Sequence, residues 1–249
     1  MIIKKAPIFV AKFMPPYTFL YRQASPVEAF LIVIMEKVTV YVDGFNFYYG
    51  LKRQKIVDKD WKKFYWIDFV KLFEYFLGEK QVLQKVVYFT ATPLNSQKSS
   101  RQSALLNANR LLNGSRFEVV KGKYFDKQIM CPFCQAAINK PEEKRTDVNI
   151  SVHIMGDCAL NKTDTVILVS ADSDLVPPLE FIKRHFTNKK LRVYFPLNNY
   201  SSDLSNFLKR SKGKPVKLEH NKIKFLHSIM PDVVSQDGKT YTVPDKWKV

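Results

Sequence analysis

Four aspartates stand where their type and spacing could do chemistry. Asp43 closes the run VYVD ahead of Gly-Phe-Asn, Asp172 and Asp174 follow the run ILVSA, and Asp147 opens a helix-like stretch in EKRTDVNI. Near neutrality all four would be ionised, at an ordinary pKa of about 3.9. Two carboxylates about 4 Å apart repel by roughly 4 kcal/mol at an effective dielectric of about 20, so a cluster of four requires a cation. Oxygen-only ligands favour hard Mg²⁺ or Mn²⁺, which keep several waters and bridge carboxylates to phosphate oxygens. Beside a basic surface, that is the layout for metal-assisted hydrolysis of a phosphodiester.

Residues this far apart in the chain meet only if a fold carries them to one edge. From Lys37 the text becomes β-branched, KVTVYVDGFN, which reads as a buried strand entering a loop. FNFYYGLKRQK and YWIDFVKLFEYFL read as helices, QVLQKVVYFTATP as a second strand, 96–112 as an amphipathic helix and FEVVKGKYF as a third strand. After a cysteine-bearing insertion come a helix over about 147–160, a fourth strand TVILVS, a helix after Pro177-Pro178, a fifth strand LRVYFP and a short helix SSDLSNFLKR. The alternation predicts an α/β fold, a mainly parallel sheet with helices on both faces, in which ligands bind outside the carboxyl ends of the strands. Three of the four also have a purely structural reading: a turn at Asp43-Gly44, a helix-start charge at Asp147, an N-cap at Asp174.

The chain of 249 residues carries 40 Lys and Arg against 23 Asp and Glu, a formal charge of +17, with 46% hydrophobic and 14% aromatic residues. Intrinsic disorder and collagen-like structure are excluded by that apolar content, and the surplus charge implies a polyanionic partner, nucleic acid first. The longest apolar run, Phe30-Leu-Ile-Val-Ile-Met35, is far short of the roughly 20 residues of a membrane span. Lys12 and Pro15-Pro16 interrupt the N-terminal stretch before it could serve as a secretory signal, and a soluble, cytoplasmic protein without a membrane partner is expected.

Three blocks, VYVDGFNFYYGL, EKRTDVNISVHI and VILVSADSDLVPPLEFIK, resemble the signature blocks of the NYN domains, the LabA-like branch of the PIN-like nuclease superfamily. The resemblance runs from about 37 to about 209, with an echo in the terminal DGKTYTVPDKW. It implies a PIN-like, Rossmann-like fold and a Mg²⁺- or Mn²⁺-dependent ribonuclease acting on RNA. It makes Asp43, Asp147, Asp172 and Asp174 the metal-binding cluster, with Asn46 and Ser170 as polar supports. Lys144 and Arg145 beside Asp147, and Arg101 on the preceding helix, are candidates to hold the RNA phosphates. The resemblance also admits a catalytically inactive RNA-binding adaptor of the same fold.

Cys131-Pro-Phe-Cys134 has the spacing of half a zinc knuckle, but a closed site needs four ligands and no second pair follows; a structural turn is the simpler reading, ahead of a zinc site within one chain and of a redox pair, and zinc shared across a homodimer is compatible with it. Cys158 reads as a small core residue. The four histidines show no ligand spacing, and a haloacid-dehalogenase-type phosphatase would want an Asp where Phe45 stands. The expected organisation is an extension over 1–34, a nuclease domain over 35–211 with an insertion near 122–143, and a basic appendage over 212–249 packed on it. The extension is expected to be dispensable, either because Met35 is the native initiator or because the extension is real but not needed; against that, Phe30 to Ile34 could lengthen the first strand or form a covering element.

Overall fold

The structure is a computed structural model that describes residues 35–125, 128–139 and 142–248. The expectations for residues 1–34 lie outside the described residues. A six-stranded, all-parallel sheet forms the centre, built from β1 (Glu36–Asp43), β2 (Gln81–Thr90), β3 (Phe117–Lys121), β8 (Thr165–Val169), β9 (Lys190–Phe195) and β10 (Val216–Lys217) in the order β10-β9-β8-β1-β2-β3. β1 is central, with Val40 opposite Val86 on one side and Ile167 on the other. The chain winds outward from β1 through β2 to β3, then returns to start the other half at β8. The point where the order reverses, between β1 and β8, is where an open α/β sheet opens a crevice.

Strand alternation divides the core in two. Val38, Val40 and Val42 of β1 face a cluster with α1 (Gly44–Val57), α2 (Phe69–Glu74), α3 (Ser96–Asn113) and α7 (Lys222–Leu226). Tyr41 faces the opposite cluster with α4 (Thr146–Ala159), α5 (Val176–His185) and α6 (Ser202–Arg210). Cys158 is buried in that second cluster. Strands covered on both faces read as continuous apolar runs, which is why β8 is simply TVILV.

Three elements differ from the sequence reading. YWIDFVKLFEYFL is α-helical only over Phe69–Glu74, because Ile67 bridges to Ile229 and Trp66 is pinned to the same C-terminal segment: Trp66 Nε1 donates to Pro231 O at 2.8 Å and Met230 N donates to Trp66 O at 3.2 Å. Asp68 then caps α2 by accepting from Lys71 N at 3.0 Å. FEVVKGKYF is not one strand. It breaks at Gly122, where a Cβ would lie 2.8 Å from both Lys144 O and Thr146 Oγ1, and the chain leaves the sheet as a hairpin arm. That arm comprises β4 (Lys123–Phe125) paired with β7 (Glu142–Lys144), and beyond them β5 (Gln128–Met130) paired with β6 (Ala137–Asn139). The third difference is that the segment after residue 212 adds β10 to the sheet and the hairpin of β11 (Val233–Gln236) and β12 (Lys239–Thr242), and sends Leu218, Phe225, Val234 and Trp247 into the first core cluster.

Candidate active site

β1 ends on Asp43, and the chain turns at once into α1. The turn is tight enough that a Cβ on Gly44 would meet the Tyr88 ring at 2.4 Å and Phe89 O at 2.6 Å, so this position requires glycine. Asp43 is buried, 2% exposed, and both its oxygens are engaged: Oδ1 accepts from Asn46 N at 3.0 Å, and Oδ2 accepts from Asn46 Nδ2 and from Ser170 Oγ at 2.9 Å. It thus caps α1 as well as facing the crevice. Burial pushes its pKa up, against the opposing pull of the Asn46 and Ser170 hydrogen bonds.

The network continues across the switch point. Asp172 N donates to Ser170 Oγ at 3.0 Å, and Asp172 Oδ1 accepts from Asp174 N at 3.0 Å, so Asp172, rather than Asp174, caps the short turn leading into α5. Asn46 Oδ1 in turn accepts from Asn199 Nδ2 at 2.6 Å, in the loop after β9. The ends of β1, β8 and β9 are thereby tied through one set of hydrogen bonds.

Asp147 lies in the first turn of α4, half-buried, and its pKa is pushed up to about 6, first by burial and then by the charges of Asp172, Asp43 and Asp174. All four aspartates line one open pocket of about 430 Å³, together with Phe45, Asn46, Glu143, Lys144 and Arg145. Among the described residues no three His, Cys, Asp or Glu side chains close into a cage that could hold a metal by themselves. The donor set is oxygen-only and mutually repulsive, which fits a hard cation that keeps several of its waters.

Lys144 and Arg145 stand on the pocket's lip, where Arg145 adopts φ 80 and ψ −10, the left-handed region. Arg101 is not part of the lining; it sits on α3, close enough for its charge to oppose the upward shift that burial imposes on the Tyr48 hydroxyl. Two residues of the site carried no sequence signal of their own. Glu143 accepts from Thr146 Oγ1 and adds a fifth carboxylate, its pKa raised by burial and by Asp147. Asn199 reaches Asn46 only because β9 lies beside β8. A third feature is an aromatic flank on α1: Phe45, Tyr48 and Tyr49 are 43%, 37% and 36% exposed, with Phe45 and Tyr49 ring centroids 4.4 Å apart and Lys52 Nζ 5.7 Å from the Tyr49 centroid.

The profile of the NYN domain family matches residues 37–211. The 6-hydroxy-3-succinoylpyridine 3-monooxygenase HspA of Pseudomonas putida (strain DSM 28022 / S16) is 26% identical over 200 residues, covering 64% of this chain and 59% of that protein. This chain therefore matches less than two thirds of the length of that relative. The crystal structure of VPA0982, a protein of unknown function from Vibrio parahaemolyticus RIMD 2210633, aligns over 74% of this chain and 94% of that one, at 21% identity and a TM-score of 0.46.

Proposed function

The chain belongs to the NYN domain family, and from that premise we propose that it is a divalent-metal-dependent ribonuclease of the LabA-like branch, with Mg²⁺ or Mn²⁺ as cofactor and RNA as substrate. The observation that carries the reading is the convergence of Asp43, Asp147, Asp172 and Asp174 on one open pocket at the switch point of the sheet. Burial first, and then the charges of Asp172, Asp43 and Asp174, raise the pKa of Asp147, and a cation bound among these carboxylates would relieve that repulsion.

We assign the ion to these four carboxylates. When bound, it would polarise a scissile phosphate and lower the pKa of a water molecule. The chain's own residues do the remaining work. Asn46 and Ser170 hold the Asp43 carboxylate in one orientation, and Asn199 fixes Asn46 from behind. Arg145 and Lys144, on the lip, hold phosphates on one side of the pocket; Arg101 serves the strand further out. Phe45 and Tyr49 offer faces on which unpaired bases can stack, a sequence-tolerant contact suited to single-stranded RNA. Three free cysteines suit a reducing, cytoplasmic setting, and no helix among the described residues is long and apolar enough to cross a membrane.

An inactive RNA-binding adaptor is the alternative within the same fold. The activity in the name of the Pseudomonas relative is not carried over: an acid-floored pocket rimmed by basic and aromatic side chains suits a polyanionic strand. The test is incubation with single-stranded and structured RNA in Mg²⁺, Mn²⁺ or EDTA. Metal-dependent products support the nuclease. Tight binding without products in any metal supports the adaptor.

A further inference from the structure

The arm that rises beside the pocket carries two thiols with no part in the chemistry above. Between β5 and β6, which pair with Met130 opposite Ala137, the chain turns through Cys131-Pro-Phe-Cys134. Cys131 N donates to Ala136 O at 2.9 Å, Gln135 N donates to Cys131 O at 2.9 Å, and Gln135 takes a left-handed φ of 54. The turn wraps the first sulfur, to which the backbone N–H groups of Cys134 and Phe133 donate. Both cysteines are free, and Cys134 is exposed.

A redox-active pair of this spacing draws its reactivity from a helix N-terminus, whereas this pair sits in a turn between two strands. A structural zinc takes four ligands, and among the described residues no third His, Cys, Asp or Glu joins these two in a group that could hold a metal. The tip itself indicates where the other two come from. Phe133 is 96% exposed, Met130 58% and Ile129 38%, an apolar skirt around the thiols that water leaves unsatisfied and association would cover.

We propose that the Cys131 and Cys134 tips of two copies of this chain close on one Zn²⁺, a four-thiolate site complete only in the homodimer, with Phe133 and Met130 covering it. Zn²⁺ binding displaces the thiol protons and the chain becomes a dimer whose two acidic pockets are held by a common arm contact. The inference does not depend on what the pocket does.

The full chain, purified and equilibrated with Zn²⁺ before removal of excess, is analysed for metal content and for mass by light scattering. The expected result is one zinc per two chains in a dimer that returns to monomer on chelation. Cys131→Ser with Cys134→Ser should lose both zinc and dimer while keeping the thermal unfolding of the wild-type monomer. Phe133→Ser, which keeps all ligands, should weaken the dimer by about tenfold, as expected for loss of one buried aromatic side chain. Absence of zinc, one zinc per chain in a monomer, or a dimer that survives chelation or the double serine substitution would each overturn the proposal.

Discussion

Arg145 enters α4 in the left-handed region at the lip of the acidic pocket, with φ 80 and ψ −10. A residue with a Cβ there costs about 1–2 kcal/mol relative to right-handed geometry. Glycine removes that cost but gives the unfolded chain more freedom, worth about 0.4–1 kcal/mol. Arg145→Gly should therefore be more stable than Arg145→Ala by about 0.5–1 kcal/mol, which is about 1–4 °C in Tm for a chain of this size. At an ordinary helical position the sign is the reverse, alanine being the more stable. Both variants lose the guanidinium, so both should bind single-stranded RNA more weakly. If Arg145 neutralises one phosphate, the slope of log K against log salt should fall by about 0.7 in each. Urea and thermal unfolding of the two variants give the first comparison, and fluorescence anisotropy across a salt series gives the second. An alanine variant as stable as the glycine variant refutes the strain. Unchanged affinity and salt slope refute the phosphate contact.

Three other outcomes follow from named contacts. Asn109 is fully buried, accepting from Phe69 N at 2.8 Å and donating to Ile67 O at 2.9 Å, so Asn109→Leu leaves two buried backbone groups unpaired and should cost about 2–5 kcal/mol in urea unfolding. Burial alone would raise the Glu36 pKa, but hydrogen bonds from Lys190, Thr165 and Gln81 and the Lys190 charge outweigh it and hold it at about 2, below the ordinary 4.5. Its contribution is therefore present above the unfolded value and lost as pH falls towards 2; from pH 6 to 3 wild type should lose about 1–2 kcal/mol more stability than Glu36→Gln, discounted for the exposed Lys190, and equal pH slopes would contradict this. Phe45→Ala with Tyr49→Ala should weaken binding of single-stranded RNA by about 1–3 kcal/mol per base released and leave duplex RNA unaffected; an equal loss on both would show that the rings do not stack on bases.

What could be read from the sequence was what local pattern controls. The run ending in Asp43 and the pair after TVILV mark strand ends by composition alone, and an all-parallel α/β sheet brings strand ends to one rim. What could not be read depends on partners distant in the chain. Nothing in FEVVKGKYF tells that the carbonyl of Lys144 will press against Gly122 and split the strand. Trp66 and Ile67 lie in a helical pattern, and only their pairing with Met230 and Ile229 straightens them. Glu143 precedes Asp147 in the same block, yet it becomes part of the pocket only because β7 folds back on β4. Asn199 depends on strand order, which periodicity does not encode.

The central claim is that the acidic pocket cuts RNA with a divalent metal, and Asp172→Asn tests it most directly. The substitution removes one charge from a crowded rim while leaving an amide oxygen to accept from Asp174 N, so the fold should be spared. The measurement is the rate of RNA cleavage by wild type and Asp172→Asn in Mn²⁺ and Mg²⁺, each purified free of contaminating nuclease and matched by circular dichroism. The expected result is cleavage by wild type that EDTA abolishes, and a loss of about a hundredfold or more in the variant, roughly 2.7 kcal/mol of transition-state stabilisation. A correctly folded Asp172→Asn that cuts RNA as fast as wild type, or wild-type cleavage indifferent to EDTA, would contradict it.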